Sequence, residues 1–352
     1  METVLNKKNV PVDERIMFLG PDLSLQRYDQ FKYPKFFELW EQQESYRWRP
    51  QRIDLSKDRT DYEKLTDIEK FVFESNIRWQ TMTDSMLSRS ICSLSEYVTN
   101  PELELCMGTW ASMEQMHSFS YTHIFKNITK NATAFFNSIL EDEEIVKRAY
   151  EISSSYDALL GCPDDLKQKI FDAVIYTNAT EGISFYSSFI CSFFFGKKGL
   201  MEGSAKIIGE IARDENLHVA ITQNIIKNWK KHPEEGFQDV LKKNEDRIYE
   251  MYRIAATNEK NWSSYLFSKG SLLGLNEEIM HQYIEWLTNI RLTGIGLKKI
   301  FDQSKNPVSG WSDRYFDSSK VQVAPQETEV ESYLVGSANT SIKNEDFDSI
   351  TL

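Results

Sequence analysis

Glycine and proline are scarce through the middle of this chain, 15 and 9 in 352 residues. Long helices therefore meet few residues that would stop them. Strand-like alternation of apolar and polar residues is nearly absent, which argues against a sheet-based fold. No apolar run reaches the roughly 20 residues of a membrane span, and the opening METVLNKKNVPVDER lacks the apolar stretch of a secretory leader. Positive charge is in deficit: 41 Lys and Arg against 53 Asp and Glu leave a net −12, which disfavours nonspecific binding to nucleic acid. The cysteines, Cys92, Cys106, Cys162 and Cys191, form no C-x-x-C pair. They are expected to be reduced core residues and not a disulfide framework. These absences together predict a cytoplasmic protein without membrane or nucleic-acid partners.

What remains is a hydrophobic fraction of 41%, enough for a large core, in segments of helical period. Thr66-Asp-Ile-Glu69 is a capping box opening a helix that runs beyond Asp84. Asn100-Pro101 pairs an N-cap with proline at the first helical position and starts a helix reaching about Ile128. Further helices are predicted over about 165–195, from about Glu202 to Pro233, over 235–269 and over 276–300. The fold class is all-α, a large helical bundle over residues 1–317 including an N-terminal extension. From about Ser318 polar and acidic residues dominate without a helical stripe, so 318–352 reads as a flexible tail. Phe347, Ile350 and Leu352 put apolar side chains near its end, as in a short docking peptide or an ordinary frayed terminus.

Two of the predicted helices carry Glu-x-x-His: Glu114 with His117, and Glu215 with His218. Residues i and i+3 share a helix face, so each pair can reach one metal ion. Each pair also follows a carboxylate, Asp84 by 30 residues before Glu114 and Glu181 by 34 before Glu215. Four carboxylates balance two divalent cations, and oxygen-rich ligation with two imidazoles suits iron or manganese. Ferritin-like proteins with two iron or two manganese ions use this template, with glutamate where this chain has Asp84. A single Glu-x-x-His is weak evidence, since five histidines supply on the order of half a match by chance. A third, Glu278 with His281, has Asp246 at 32 residues upstream, but Asn276 is an N-cap there. Glu278 then falls in a first turn, where a carboxylate simply complements the helix dipole. His123 and His232 lack the preceding glutamate and are expected to be structural or exposed. Tyr121 lies four residues after His117 on the same face. It reads either as core packing or as a phenol beside an oxidising metal pair. The aromatic run from Phe185 to Phe195 is ordinary core that also excludes water.

At these residues the chain resembles the small subunit of class I ribonucleotide reductase, class Ia in particular. The resemblance spans about 20–352. It rests on WRP at 48–50, DRTDY at 58–62, the segment around Asp84, EQMHSFSYTH at 114–123 and EGISFYSSFICSF from Glu181. LMEGSAKII from Leu200, ARDENLH from Ala212 and QVAPQETEVESYLVG from Gln322 complete it in order. The resemblance implies a ferritin-like bundle with a buried dinuclear site and two iron ions per chain, manganese being accepted by the same ligands. Asp84, Glu114 and His117 would hold one ion and Glu181, Glu215 and His218 the other, with Glu114 and Glu215 bridging. Tyr121 would carry a stable radical in a pocket of Phe185, Phe189 and Ile211. Trp48 and Asp214, with His117, would begin a radical-transfer chain that Tyr333 and Glu327 in the tail continue. The implied partners are a second copy of this chain and a large subunit, docked by the tail, which reduces ribonucleoside diphosphates to deoxyribonucleotides. The competing reading is a ferritin-like oxidase or monooxygenase without radical export; an iron-storage or scaffold protein is a third. Two departures stand out: a short segment between Tyr156 and Asp165, and Ser184 where the family often has arginine.

Overall fold

The computed structural model describes residues 6–23, 25–161 and 164–316, which belong to one unit ending at Phe316. The tail, with Glu327, Tyr333, Phe347, Ile350 and Leu352, lies outside the described residues, as does Cys162.

Among the described residues the architecture is entirely helical, with two isolated antiparallel bridges, Phe18 to Val98 and Leu272 to Leu275, as the only strand-type pairing. Four long elements carry the predicted ligands: α3 (Asp67–Ser95), α4 (Pro101–Ile128), the pair α7 (Leu166–Ala179) and α8 (Phe185–Lys197), and α9 (Glu202–Lys231). Before and between them lie α1 (Pro34–Ser45), α2 (Ser56–Lys64), α5 (Ala132–Asn137) and α6 (Glu143–Asp157). After α9 come α10 (Gln238–Lys243), α11 (Glu245–Leu266), α12 (Glu277–Gly294) and α13 (Ser309–Phe316). α3 packs on α4 and α8, and α9 packs on α4, α7 and α8, which closes the bundle. No helix of the described residues is long and apolar enough to cross a membrane.

Local chemistry explains the boundaries. Thr66 and Glu69 make the reciprocal capping box, and the Asn100 side chain accepts from the Leu103 amide at 2.9 Å with Pro101 behind it. α9 has no such cap of its own: Met201 precedes it in a left-handed conformation, φ 49°. Its first amides are satisfied instead by the buried Asp58 of α2, which accepts from Gly203 N at 2.9 Å and from Ser204 N and Oγ. Gly203 is required at that junction, because a Cβ there would stand 2.5 Å from the Asp54 carbonyl oxygen.

Three predicted helices need correction. The one over 165–195 is interrupted by a π-helical turn, Thr180–Ser184, and ends at Lys197. The one over 235–269 breaks twice. Gly236, at φ 73°, ends the first turn, and the Asn244 side chain bonds back to the Val240 carbonyl at 2.8 Å between α10 and α11. The one over 276–300 stops at Gly294, followed by Gly296 at φ 78°. Cys106 and Cys191 are buried free thiols as expected, but Cys92 is exposed and belongs to no core. Ser184 closes the π turn and lines a cavity of about 20 Å³ with Arg148 and Glu259.

Candidate metal centre

The four long elements bring all six predicted ligands into one buried nest. Potential ligand atoms of Asp84, Glu114 and His117 lie within 4.8 Å of one another, and those of Glu114, Glu181, Glu215 and His218 do the same. The two groups share Glu114. His117 Nδ1 is 3.4 Å from Glu114, 3.1 Å from Glu215 and 3.9 Å from Asp84. His218 Nδ1 is 3.0 Å from both Glu114 and Glu215 and 3.5 Å from Glu181. Glu114 and Glu215 thus each face both imidazoles, which is the disposition a bridging carboxylate needs.

The donor set fits two cations. Both oxygens of Asp84 and of Glu181, one oxygen each of Glu114 and Glu215, and His117 Nδ1 are buried without a hydrogen-bond partner. Four carboxylates so placed would be prohibitively costly without counter-charge. Burial, then Glu114, raises the Asp84 carboxyl well above its ordinary range, and burial, then Glu215 and Glu114, does so for Glu181. At Glu215 burial also acts upward, but His218, Glu181 and His117 together outweigh it and hold the carboxyl below the ordinary range. Burial pulls both histidines toward the neutral form, yet the surrounding carboxylates prevail and raise them. Such opposed pressures on adjacent buried groups mark a site built for a ligand that replaces protons.

Around the nest, Asp214 Oδ2 accepts from Trp48 Nε1 at 2.8 Å and lies 3.1 Å from His117 Nε2. That contact leaves His117 Nδ1 to face the carboxylates. Tyr121 is fully buried on α4, and its hydroxyl lies beside the Asp84 carboxylate. Burial, then the field of Asp84, pushes its phenol well up. Phe185, Phe189 and Ile211 are fully buried in the same core. The third Glu-x-x-His stands apart. Asn276 caps α12 through the Ile279 amide at 2.9 Å, Glu278 and Asp246 are exposed, and His281 reaches the Lys260 carbonyl at 3.1 Å. His123 is paired with Asn127 near the surface, and His232 packs edge-on to Tyr33.

Sequence reasoning missed two neighbours. Trp110 donates from Nε1 to Glu114 Oε1 at 2.7 Å and stacks on His218 with ring centroids 4.8 Å apart. Its place one turn before Glu114 was the available signal. Arg291, on α12, donates from Nε to the Gly182 carbonyl at 2.9 Å, and nothing in the local sequence announces that contact.

A sequence profile for the family described as "Ribonucleotide reductase, small chain" matches residues 26–307. The chain belongs to this family. It is 41% identical to the ribonucleoside-diphosphate reductase subunit beta of Haemophilus influenzae, over 96% of each chain. It is 33% identical to the subunit of the same name from phage T4, over 97% of each chain. The R2 subunit of the Clostridium botulinum ribonucleotide reductase superposes with a TM-score of 0.83 at 27% identity, covering 90% of this chain and 98% of that one. The ferritin-like all-α class expected from the sequence is thereby borne out, and the small-chain family displaces a storage or scaffold protein.

Proposed function

We propose that this chain is the small, radical-generating subunit of a ribonucleoside-diphosphate reductase and works with a large subunit that holds the nucleotide. The observation that carries this is the shared-carboxylate nest with a buried phenol beside Asp84, one helical turn from His117. In this reading Asp84, Glu114 and His117 would hold one ion and Glu181, Glu215 and His218 the other, with Glu114 and Glu215 placed to be shared. Iron is the cofactor proposed, two ions per chain; manganese meets the same ligands. When bound, the metal pair supplies a strong one-electron oxidant on reaction with oxygen.

The chain's own residues do the rest. Tyr121 gives up one electron and, as a phenol must, one proton; Asp84 is the carboxylate that acts most strongly on its hydroxyl and is the base best placed to take that proton. The low-dielectric pocket around Tyr121 keeps water from the oxidised ring. Trp48, joined to His117 through Asp214, is the proposed first relay out of the core, and Tyr333 the last in this chain. The tail is proposed to dock the large subunit, and the active small subunit to be a cytoplasmic homodimer. Reconstitution tests the export route: Trp48→Phe, loaded with ferrous iron and oxygen, should keep the tyrosyl signal yet make deoxynucleotides with the large subunit only at background rate. Turnover near wild type would exclude Trp48 from the route, and a wild-type chain that holds the tyrosyl signal but makes no deoxynucleotides with the large subunit would leave a ferritin-like oxidase site.

A further inference from the structure

The π turn Thr180–Ser184 inserts an extra residue into the helix that carries Glu181, resetting the phase between α7 and α8. Such a turn loosens the ordinary i to i+4 ladder, so a partner from outside the helix can hold its carbonyls. Here the partner is the side chain of Arg291, whose Nε donates to the Gly182 carbonyl at 2.9 Å. Its guanidinium lies over the Tyr186 ring at 4.5 Å, and the Tyr186 hydroxyl donates to Asn216 Oδ1 at 2.5 Å. Gly182 follows Glu181 directly, and Asn216 follows Glu215. One network from α12 therefore holds the backbone carbonyl next to Glu181 and the side chain next to Glu215, two of the three carboxylates that face His218. Gly182 is what lets Arg291 approach: a Cβ there would stand 3.1 Å from the Arg291 side chain, which supplies its three nearest neighbours.

We infer that Arg291 is a positioning residue, outside the ligand set, that locks the π turn and so aims Glu181 at the second metal position. Its charge-assisted bond holds the Gly182 carbonyl from outside the helix, while its stacking on Tyr186 fixes the guanidinium plane. The inference rests on the two-metal reading of the site. The first position has Asp84 and His117 as its own ligands and shares only the bridging carboxylates with the second; the hydrogen bonds of Arg291 and Tyr186 go to Gly182 and Asn216, so its affinity should hold.

The test is metal binding by the full-length metal-free chain, titrated with Mn(II) under anaerobic conditions and followed by paramagnetic resonance and elemental analysis. Wild type should take up two ions. Arg291→Leu should keep the first with unchanged affinity and bind the second roughly ten- to a hundredfold more weakly, the usual effect of losing an outer hydrogen bond to a metal site. Arg291→Lys, which retains a cationic donor, should recover most of that loss. Gly182→Ala keeps the arginine but displaces it, and should reproduce the Arg291→Leu defect; it decides the matter if Arg291→Leu fails to fold. Two ions bound with wild-type affinities by both Arg291→Leu and Gly182→Ala would overturn the inference. Fewer than two ions in wild type would overturn the two-metal reading itself, and this inference with it.

Discussion

A carboxylate that is fully buried and lacks a hydrogen-bond donor has to be matched by a cation or a proton. Asp84 and Glu181 are such groups, and burial with like-charged neighbours holds both well above the ordinary carboxylate range. Without metal they retain protons, and metal entry must expel them. Metal affinity should therefore rise with pH, and acidification from neutrality should weaken loading, with proton release measurable by a pH indicator during titration. Loading that is equally tight on acidification, with no protons released, would contradict this. Glu215→Ala removes a carboxylate that faces both imidazoles and should cut metal content, whereas the exposed Glu278→Ala should leave it unchanged. Equal metal loss in the two variants, by elemental analysis, would assign the ligands wrongly. Asp84, the two Glu-x-x-His pairs and Glu181 were legible as candidates because metal ligation imposes spacing on a helix. Trp110 and Arg291 were not, since a tryptophan in a core helix and an arginine on a surface helix have commoner reasons to be there.

At the scale of elements, α9 depends on α2. Asp58 accepts from the first amides of α9, and no side chain within α9 can replace it. Asp58→Ala should cost about 2 kcal/mol, combining a lost cap with unsatisfied buried amides, and lower the thermal midpoint without altering the ligand residues. A midpoint equal to wild type would show that water or another acceptor serves the terminus. The same contact shows why α9's start was placed correctly for an incomplete reason: Glu202 follows a helix break, but the cap comes from 145 residues or more earlier in the chain. Helices with local caps, α3 and α4, had starts legible to the residue. The π turn was not, because its stabilising partner at Arg291 lies over a hundred residues away. Gly236 and Asn244 carried readable stop signals that were outweighed by the apolar period running through them.

For the whole molecule, the proposal divides making the radical from delivering it. A synthetic peptide of the last twenty residues should compete with the full chain for the large subunit, while deletion of 347–352 should leave metal content intact. Binding untouched by excess peptide and by the deletion would remove the docking role. Tyr333→Phe should keep the radical and the partner but lose turnover, since phenylalanine is too hard to oxidise; deoxynucleotide formation near the normal rate would reduce the tail to an anchor.

The most direct test of the account is paramagnetic resonance of the metal-free chain after addition of ferrous iron and oxygen, in wild type and in Tyr121→Phe. Phenylalanine preserves the buried ring and removes only the hydroxyl beside Asp84, so folding and iron content should be equal. Wild type should show a lasting tyrosyl signal and Tyr121→Phe none. The same lasting tyrosyl signal in Tyr121→Phe, or none in a wild-type chain carrying two irons, would contradict the assignment.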